Sequence, residues 1–172
     1  MIVARMKKTA IVYWLLPAKP QRDLFCDVIR ILRRAFDAPS FEPHLTLFVA
    51  GKNQESPKKV LQQIRARPIR LSVRGVAYSP KYTKTLFVRF KSAPQLRKLT
   101  ADLARKAAID PHVSLLYKKI PQSAKKQLAA VIKLPFRNVV FDTVAAVRLK
   151  LPVRTGADVR KWKIVAKKSL RR

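Results

Sequence analysis

Cysteine is nearly missing from this sequence: Cys26 is the only one in 172 residues. A single thiol excludes a disulfide framework and any cysteine-rich zinc or iron–sulfur site. Glycine is almost as scarce, with Gly51, Gly75 and Gly156 standing far apart. Isolated glycines build neither a P-loop nor a dinucleotide fingerprint, which need clustered backbone amides close to phosphate. The nine acidic residues are scattered, so a carboxylate-lined magnesium or calcium site is not expected. No apolar run reaches the roughly 18 residues of a membrane span. Ala10–Leu16, behind Lys7 and Lys8, superficially imitates a signal peptide. It is too short, carries Tyr13 and Trp14, and lacks a small-x-small cleavage site before Pro17, so it reads as a buried first strand. These absences predict a soluble, cytoplasmic protein that works without a metal or cofactor and away from membranes.

Positive charge is what the chain has in excess. Lys and Arg total 39 against nine Asp and Glu, a net charge of +30. With 48% hydrophobic residues, the charge does not mark a disordered tail. The length suits one compact domain, or two small lobes sharing a core. An anionic partner is implied, with nucleic acid or a nucleotide as the first expectation.

Hydrophobic periodicity predicts alternating strands and helices. Lys8–Leu16 is a strand ended by Pro17, and Pro20–Phe36 is a helix with a stripe at Leu24, Val28, Leu32 and Ala35 flanked by Phe25, Ile29 and Phe36. Cys26, next to Phe25, reads as a small core residue. His44–Ala50 is a strand, and Ser56-Pro57 opens a short helix through Val60, Leu61 and Ile64. Ile69–Arg74 and Leu86–Lys91 alternate as a hairpin with a long turn. A helix over Pro94–Ala108 presents Leu96, Leu99, Leu103 and Ala107. Then come a strand over His112–Tyr117 and a helix capped by Ser123 with Leu128, Val131 and Ile132. Two strands close the chain, near Phe136–Leu151 and Trp162–Ala166. This mixture predicts an α+β class with mainly antiparallel sheets and outer helices.

One internal similarity stands out. Glu42-Pro43-His44-Leu45-Thr46-Leu47 and Asp110-Pro111-His112-Val113-Ser114-Leu115 share a plan of acid, Pro, His, aliphatic, hydroxyl, Leu, and they hold the only two histidines. Residues two apart on a strand share a face. His44 with Thr46, and His112 with Ser114, therefore project together while the aliphatics enter a core. Two imidazoles with an unperturbed pKa of about 6.5 supply a base for the attacking oxygen and an acid for the departing one. The hydroxyls donate to non-bridging phosphate oxygens. A lone His-x-Thr is usually a core or surface feature; two matched copies in a chain without another histidine point to catalysis of phosphodiester chemistry. Two histidines without neighbouring Cys or acid clusters are too few for a typical metal site.

The paired motifs resemble those of the 2H phosphoesterase superfamily. Phe41-Glu42-Pro43-His44-x-Thr46-Leu47 and Pro111-His112-x-Ser114-Leu115-x-Tyr117 look closest to its cyclic nucleotide phosphodiesterase branch. The resemblance implies one bilobal domain over 1–172, two mainly antiparallel sheets with outer helices around a central cleft, and a pseudo-twofold axis placing one motif in each lobe. It implies hydrolysis of 2′,3′-cyclic phosphates, of nucleotides or RNA ends, typically to 2′-phosphates, with cyclic ADP-ribose phosphate a further substrate. His44 and His112 become the catalytic pair, and Thr46 and Ser114 the phosphate binders. Tyr117 matches the family's tyrosine near the substrate, yet it lies five residues from His112, an odd parity that points it away unless a bulge or the strand's end turns it back. Tyr82, beside a turn and flanked by Lys81 and Lys84, is the best base-stacking candidate; Trp14 and Phe48 read as core. Glu42 and Asp110 are set aside as orienters of their histidines. A monomer is expected.

The +30 charge exceeds what one phosphate requires. Lys58-Lys59, Lys118-Lys119, Lys125-Lys126 and the tail Lys167-Lys168 to Arg171-Arg172 are spread widely enough to favour longer RNA, with a generally basic surface as the alternative. Two other functions stay open: RNA 2′-5′ ligase-like activity on RNA ends, and a non-catalytic basic RNA-binding protein.

Overall fold

In the computed structural model, residues 7–51, 55–104 and 109–171 are described; Ala107 and Arg172 lie outside them. The elements in chain order are β1 (Lys8–Pro17), α1 (Gln21–Phe36), β2 (Leu45–Val49), α2 (Pro57–Gln63), β3 (Ile69–Tyr78), β4 (Leu86–Phe90), α3 (Pro94–Ala104), β5 (His112–Leu116), α4 (Gln122–Val131), β6 (Asn138–Leu151), α5 (Gly156–Arg160) and β7 (Lys163–Ser169). The class is α+β, as the mixture of patterns predicts.

All strand pairings are antiparallel and run β1-β2-β5-β4-β3-β6-β7, with β6 also paired to β1. The expected two sheets are halves of this one seven-stranded network. One half is β2-β1-β6-β7. The other is β5-β4-β3, completed by the first residues of β6, where Ile69 to Ser72 pair Phe141 to Asn138. The 14-residue β6 thus serves both halves. The halves meet again at Leu45 and Val113, the only residues through which β2 pairs β5.

The main core lies between sheet and helices, with Tyr13, Phe25, Leu45, Leu86, Val113 and Phe141 fully buried. A second cluster covers the opposite face of β1 and β6: Val12, Trp14, Leu16, Ala145 and Val147, closed over by Val153 and Trp162. Burial on both faces explains why β1 reads as one continuous apolar run instead of alternating.

Several helix details depart from expectation. In α1 the buried residues are Phe25, Ile29 and Leu32, so the stripe is rotated about one position; Leu24 and Ala35 are exposed, and Cys26, expected in the core, is exposed too. Ser56 holds the N-cap position of α2 but its side chain makes no capping bond. Ser123 does not cap α4, which starts one residue earlier after Pro121, and Val131 faces solvent. The five-residue α5 lies where the periodicity predicts no helix; Thr155 and Asp158 form a capping box whose Thr-x-x-Asp spacing is visible in the sequence.

Each motif strand carries a matched irregularity. Trp14 pairs Thr46 whereas Tyr13 pairs Phe48, leaving Leu47 as an extra residue. Phe87 pairs Ser114 whereas Leu86 pairs Leu116, leaving Leu115 extra. In both strands the bulge falls on the leucine three residues after the histidine. Such a bulge reverses the facing of everything beyond it.

Because Leu45 is fully buried where the halves join, Leu45→Ala should destabilise the protein by about 2–5 kcal/mol in urea unfolding. Val131→Ala, on an exposed position, should stay within about 0.5 kcal/mol.

Candidate active site

The Leu45–Val113 pair fixes the site's geometry. Continuing an antiparallel register one residue each way sets His44 opposite Ser114 and Thr46 opposite His112. Each histidine therefore faces the hydroxyl of the other motif. The histidines are diagonal neighbours, a relation that puts Cβ atoms somewhat under about 7–8 Å apart, with directly opposed residues at about 4.5–5.5 Å. Leu45 and Val113 go to the core with no exposed surface, so the four polar side chains share the other face. The register places His44, Thr46, His112 and Ser114 on one face of the β2–β5 junction.

Both imidazoles are held the same way. Nδ1 of His44 lies 2.6 Å from the carbonyl of Glu42, and Nδ1 of His112 lies 2.7 Å from that of Asp110. A carbonyl only accepts, so each Nδ1 carries its proton and the Nε2 of each neutral ring is left with a lone pair. Glu42 and Asp110, set aside in the sequence, thus do orient the histidines, through their main chains. Their carboxylates turn elsewhere: Glu42 to Arg22 at 2.7 Å, Asp110 to Lys84 and, at 3.4 Å, to Arg89. The intervening Pro43 and Pro111 are buried and restrict the approach to each histidine.

The two surroundings differ. The His44 ring stacks on Trp14 at 3.7 Å between centroids, with the edges of Trp162 and Phe41 at 5.8 and 6.5 Å. Only 6% of His44 is exposed. This apolar box pushes its pKa down to about 4, and the nearby His112 works in the same direction. His112 is half-buried, with the Phe87 edge at 5.4 Å and Lys84 Nζ 4.6 Å above that ring. Burial lowers its pKa as well, aided by Lys84 and Arg89 and opposed by the Asp110 carbonyl and carboxylate.

Thr46 is exposed beside this centre, whereas Ser114 is buried and donates to the Thr83 carbonyl at 3.0 Å. For Ser114 to serve a phosphate, its hydroxyl must turn from that carbonyl. Tyr117 is on the site face after all, and the bulge at Leu115 is the reason: Leu116 pairs Leu86 on the core side, so Tyr117 turns back. It stacks on Phe41 at 4.1 Å and on Tyr82 at 6.2 Å, and meets the Trp162 edge at 5.6 Å. Burial raises the Tyr117 pKa, so the phenol stays protonated. Tyr82 is half-buried at the outer end of this aromatic row.

Phe48, weighed as core, stacks on Tyr13 at 4.6 Å, away from the site. Trp14 is buried but also walls His44, a role that strand composition conceals. Trp162, Phe41, Phe87 and Lys84 are further neighbours of the histidines, to which the sequence reading assigns no site role. Trp14 and Phe87 occupy equivalent places, opposite Thr46 and Ser114, and only the register reveals it. Among the described residues, no three His, Cys, Asp or Glu side chains converge as a metal-ligand set.

The sequence matches the family model of the 2′-5′ RNA ligase superfamily over residues 20–151. No curated protein matches the chain. Among solved structures, E. coli LigT complexed with ATP is similar with a TM-score of 0.59 and 15% identity, over 97% of this chain and 100% of that one. E. coli LigT complexed with 3′-AMP gives 0.55 and 15%, over 95% and 99%. A structure described as a phosphoesterase gives 0.56 and 14%, over 96% and 100%. At such identities the likeness is one of fold.

The depressed His44 pKa has a consequence for stability. Between pH 6.5 and about 4 the unfolded chain binds a proton that folded His44 refuses. Stability should fall across that window as pH drops, by on the order of 3 kcal/mol. His44→Gln should flatten this part of the profile, measured by urea unfolding at a series of pH values.

Proposed function

The chain belongs to the 2′-5′ RNA ligase superfamily, the 2H phosphoesterases, and from this premise we propose that it hydrolyses 2′,3′-cyclic phosphates of nucleotides or RNA ends. The observation that carries the reading is the interlocked register around Leu45 and Val113, which sets an imidazole and a hydroxyl from each motif about one point. In-line displacement at phosphorus needs the entering and leaving oxygens on opposite sides. A pseudo-twofold pair of imidazoles brackets a phosphate in that manner.

His44 is the general base and His112 the general acid. His44, boxed by Trp14, Trp162 and Phe41, is held neutral, so its Nε2 lone pair takes a proton from the attacking water. The water oxygen bonds to phosphorus, the P–O3′ bond breaks, and His112, which enters as the imidazolium with a proton on each ring nitrogen, gives its Nε2 proton to O3′, leaving a 2′-phosphate. Proton exchange with solvent resets the pair. Thr46, Ser114 and the Lys84 ammonium stabilise charge on the non-bridging oxygens. Tyr117 and Tyr82 line the approach of the base or ribose.

The name of the matched family favours a second reading, ligase-like joining of RNA ends. It uses the same residues with a ribose 5′-hydroxyl in place of water. Product analysis separates the two.

Turnover of a 2′,3′-cyclic nucleotide is expected to persist in EDTA and to yield the 2′-phosphate. His44→Ala and His112→Ala should each lower kcat by about 10²–10⁴, and Thr46→Ala by a smaller factor. Absence of wild-type turnover on every cyclic substrate overturns the proposal; activity surviving both histidine changes overturns the mechanism.

The pH profile of kcat/KM should be a bell lying on the acid side of neutrality. It rises as His44 loses its proton near pH 4 and falls as His112 loses its own below about 6.5. Trp14→Leu, by admitting water to His44, should move the rising limb upward and lower the maximum.

A further inference from the structure

Beside the aromatic row lies a groove of about 810 Å³ that the catalytic chemistry does not use. Its walls include Arg33 and Arg34 from the end of α1, Lys118 after β5, Arg160 at the end of α5, and Tyr82. Asp37 is the single acid in its lining. That acid sits at the C-cap of α1 in the left-handed region, φ 48°, and Lys118 donates to its carbonyl at 2.9 Å. Asp37 and Lys118 are thereby committed to shaping the rim. Arg33, Arg34 and Arg160 are exposed and pair with no acid among the described residues. The groove is as large as the site of a drug-sized ligand, typically about 300–1,000 Å³, and so too large for one phosphate.

Tyr82 belongs to both places. It lines the groove and it stacks on Tyr117. Thr83, the next residue, accepts the Ser114 hydroxyl. The stacked rings of Tyr82 and Tyr117 therefore connect the groove and its three guanidinium groups to Trp162 and Phe41, which wall His44.

We propose that this groove holds the phosphodiester backbone of single-stranded RNA on the 5′ side of the terminal ribose, with Tyr82 stacking on a base at the junction. The inference rests on the cyclic-phosphate reading above. A 2′,3′-cyclic phosphate occupies both O2′ and O3′, so a chain ending in one continues only through O5′. A row of cations next to a stacking ring is what single strands bind.

The test compares wild type with the triple variant Arg33→Ala, Arg34→Ala, Arg160→Ala and with a control triple variant, Arg70→Ala, Arg97→Ala, Lys126→Ala, which removes equal charge from exposed positions elsewhere. Substrates are a 2′,3′-cyclic mononucleotide and a short oligoribonucleotide ending in the same group. The groove variant should lose at least about tenfold in kcat/KM on the oligonucleotide and stay within about twofold on the mononucleotide; the control should do neither. Binding of the same oligonucleotide ending in an unreactive 3′-phosphate, followed by fluorescence anisotropy across salt concentrations, should show a salt slope smaller by about 2 for three lost phosphate contacts. Equal losses on both substrates, an equal loss in the control, or an unchanged salt slope overturns the groove. If wild type turns over neither substrate, the cyclic-phosphate reading fails, and the binding slope still decides the groove. Arg160→Ala alone, expected to reduce the slope by about 0.7, repeats the test should the triple variant fold poorly.

Discussion

A single cross-strand pair, Leu45 with Val113, is the constraint on which the site depends. Both residues are fully buried, and the register they fix interlocks the two motifs, each histidine against the other's hydroxyl. A slip of one residue by either strand would turn that strand's histidine and hydroxyl into the core and bring its aliphatics out. Burial of two aliphatic side chains therefore specifies the positions of four catalytic candidates. The pairing is also short.

The pseudo-symmetry of the backbone is broken by what surrounds each ring. Carbonyls two residues back hold both histidines in one tautomer, so the repeated frame delivers two equivalent Nε2 atoms. Trp14, Trp162 and Phe41 then remove water from His44, while Lys84, Arg89 and Asp110 surround the more open His112. Desolvation penalises the charged imidazole, and its strength differs between the halves. A symmetric scaffold with unequal shells gives two chemically distinct groups, which acid–base catalysis requires.

The charge divides in a similar way. Lys125 is buried against the Ser79 carbonyl, and Lys168 donates to the carbonyls of Gln62 and Ile64 at the end of α2. These two members of conspicuous lysine runs are structural. Arg33 and Arg34, at the end of α1, line the groove instead. A run of cations in sequence is thus a poor guide to where cations act together, because proximity comes from α1, α5 and the segment after β5 converging.

The sequence by itself determined the chemistry available. Two histidines in matched frames, few acids, isolated glycines and an excess of 30 positive charges restrict the reaction and its partner in any fold. Period-two and helical patterns also made the α+β class and most elements legible, since these patterns report only local facing. What the tertiary structure decided depends on contacts distant in the chain. The bulge at Leu115 turned Tyr117 toward the site against its parity, and Trp14 and Trp162 met at His44 from opposite ends of the chain. Cys26, placed in the core by its neighbours, is exposed because packing rotated the buried stripe of α1. Residue types fix which groups can titrate, donate or stack; register and burial fix which of them meet, and only folding sets those.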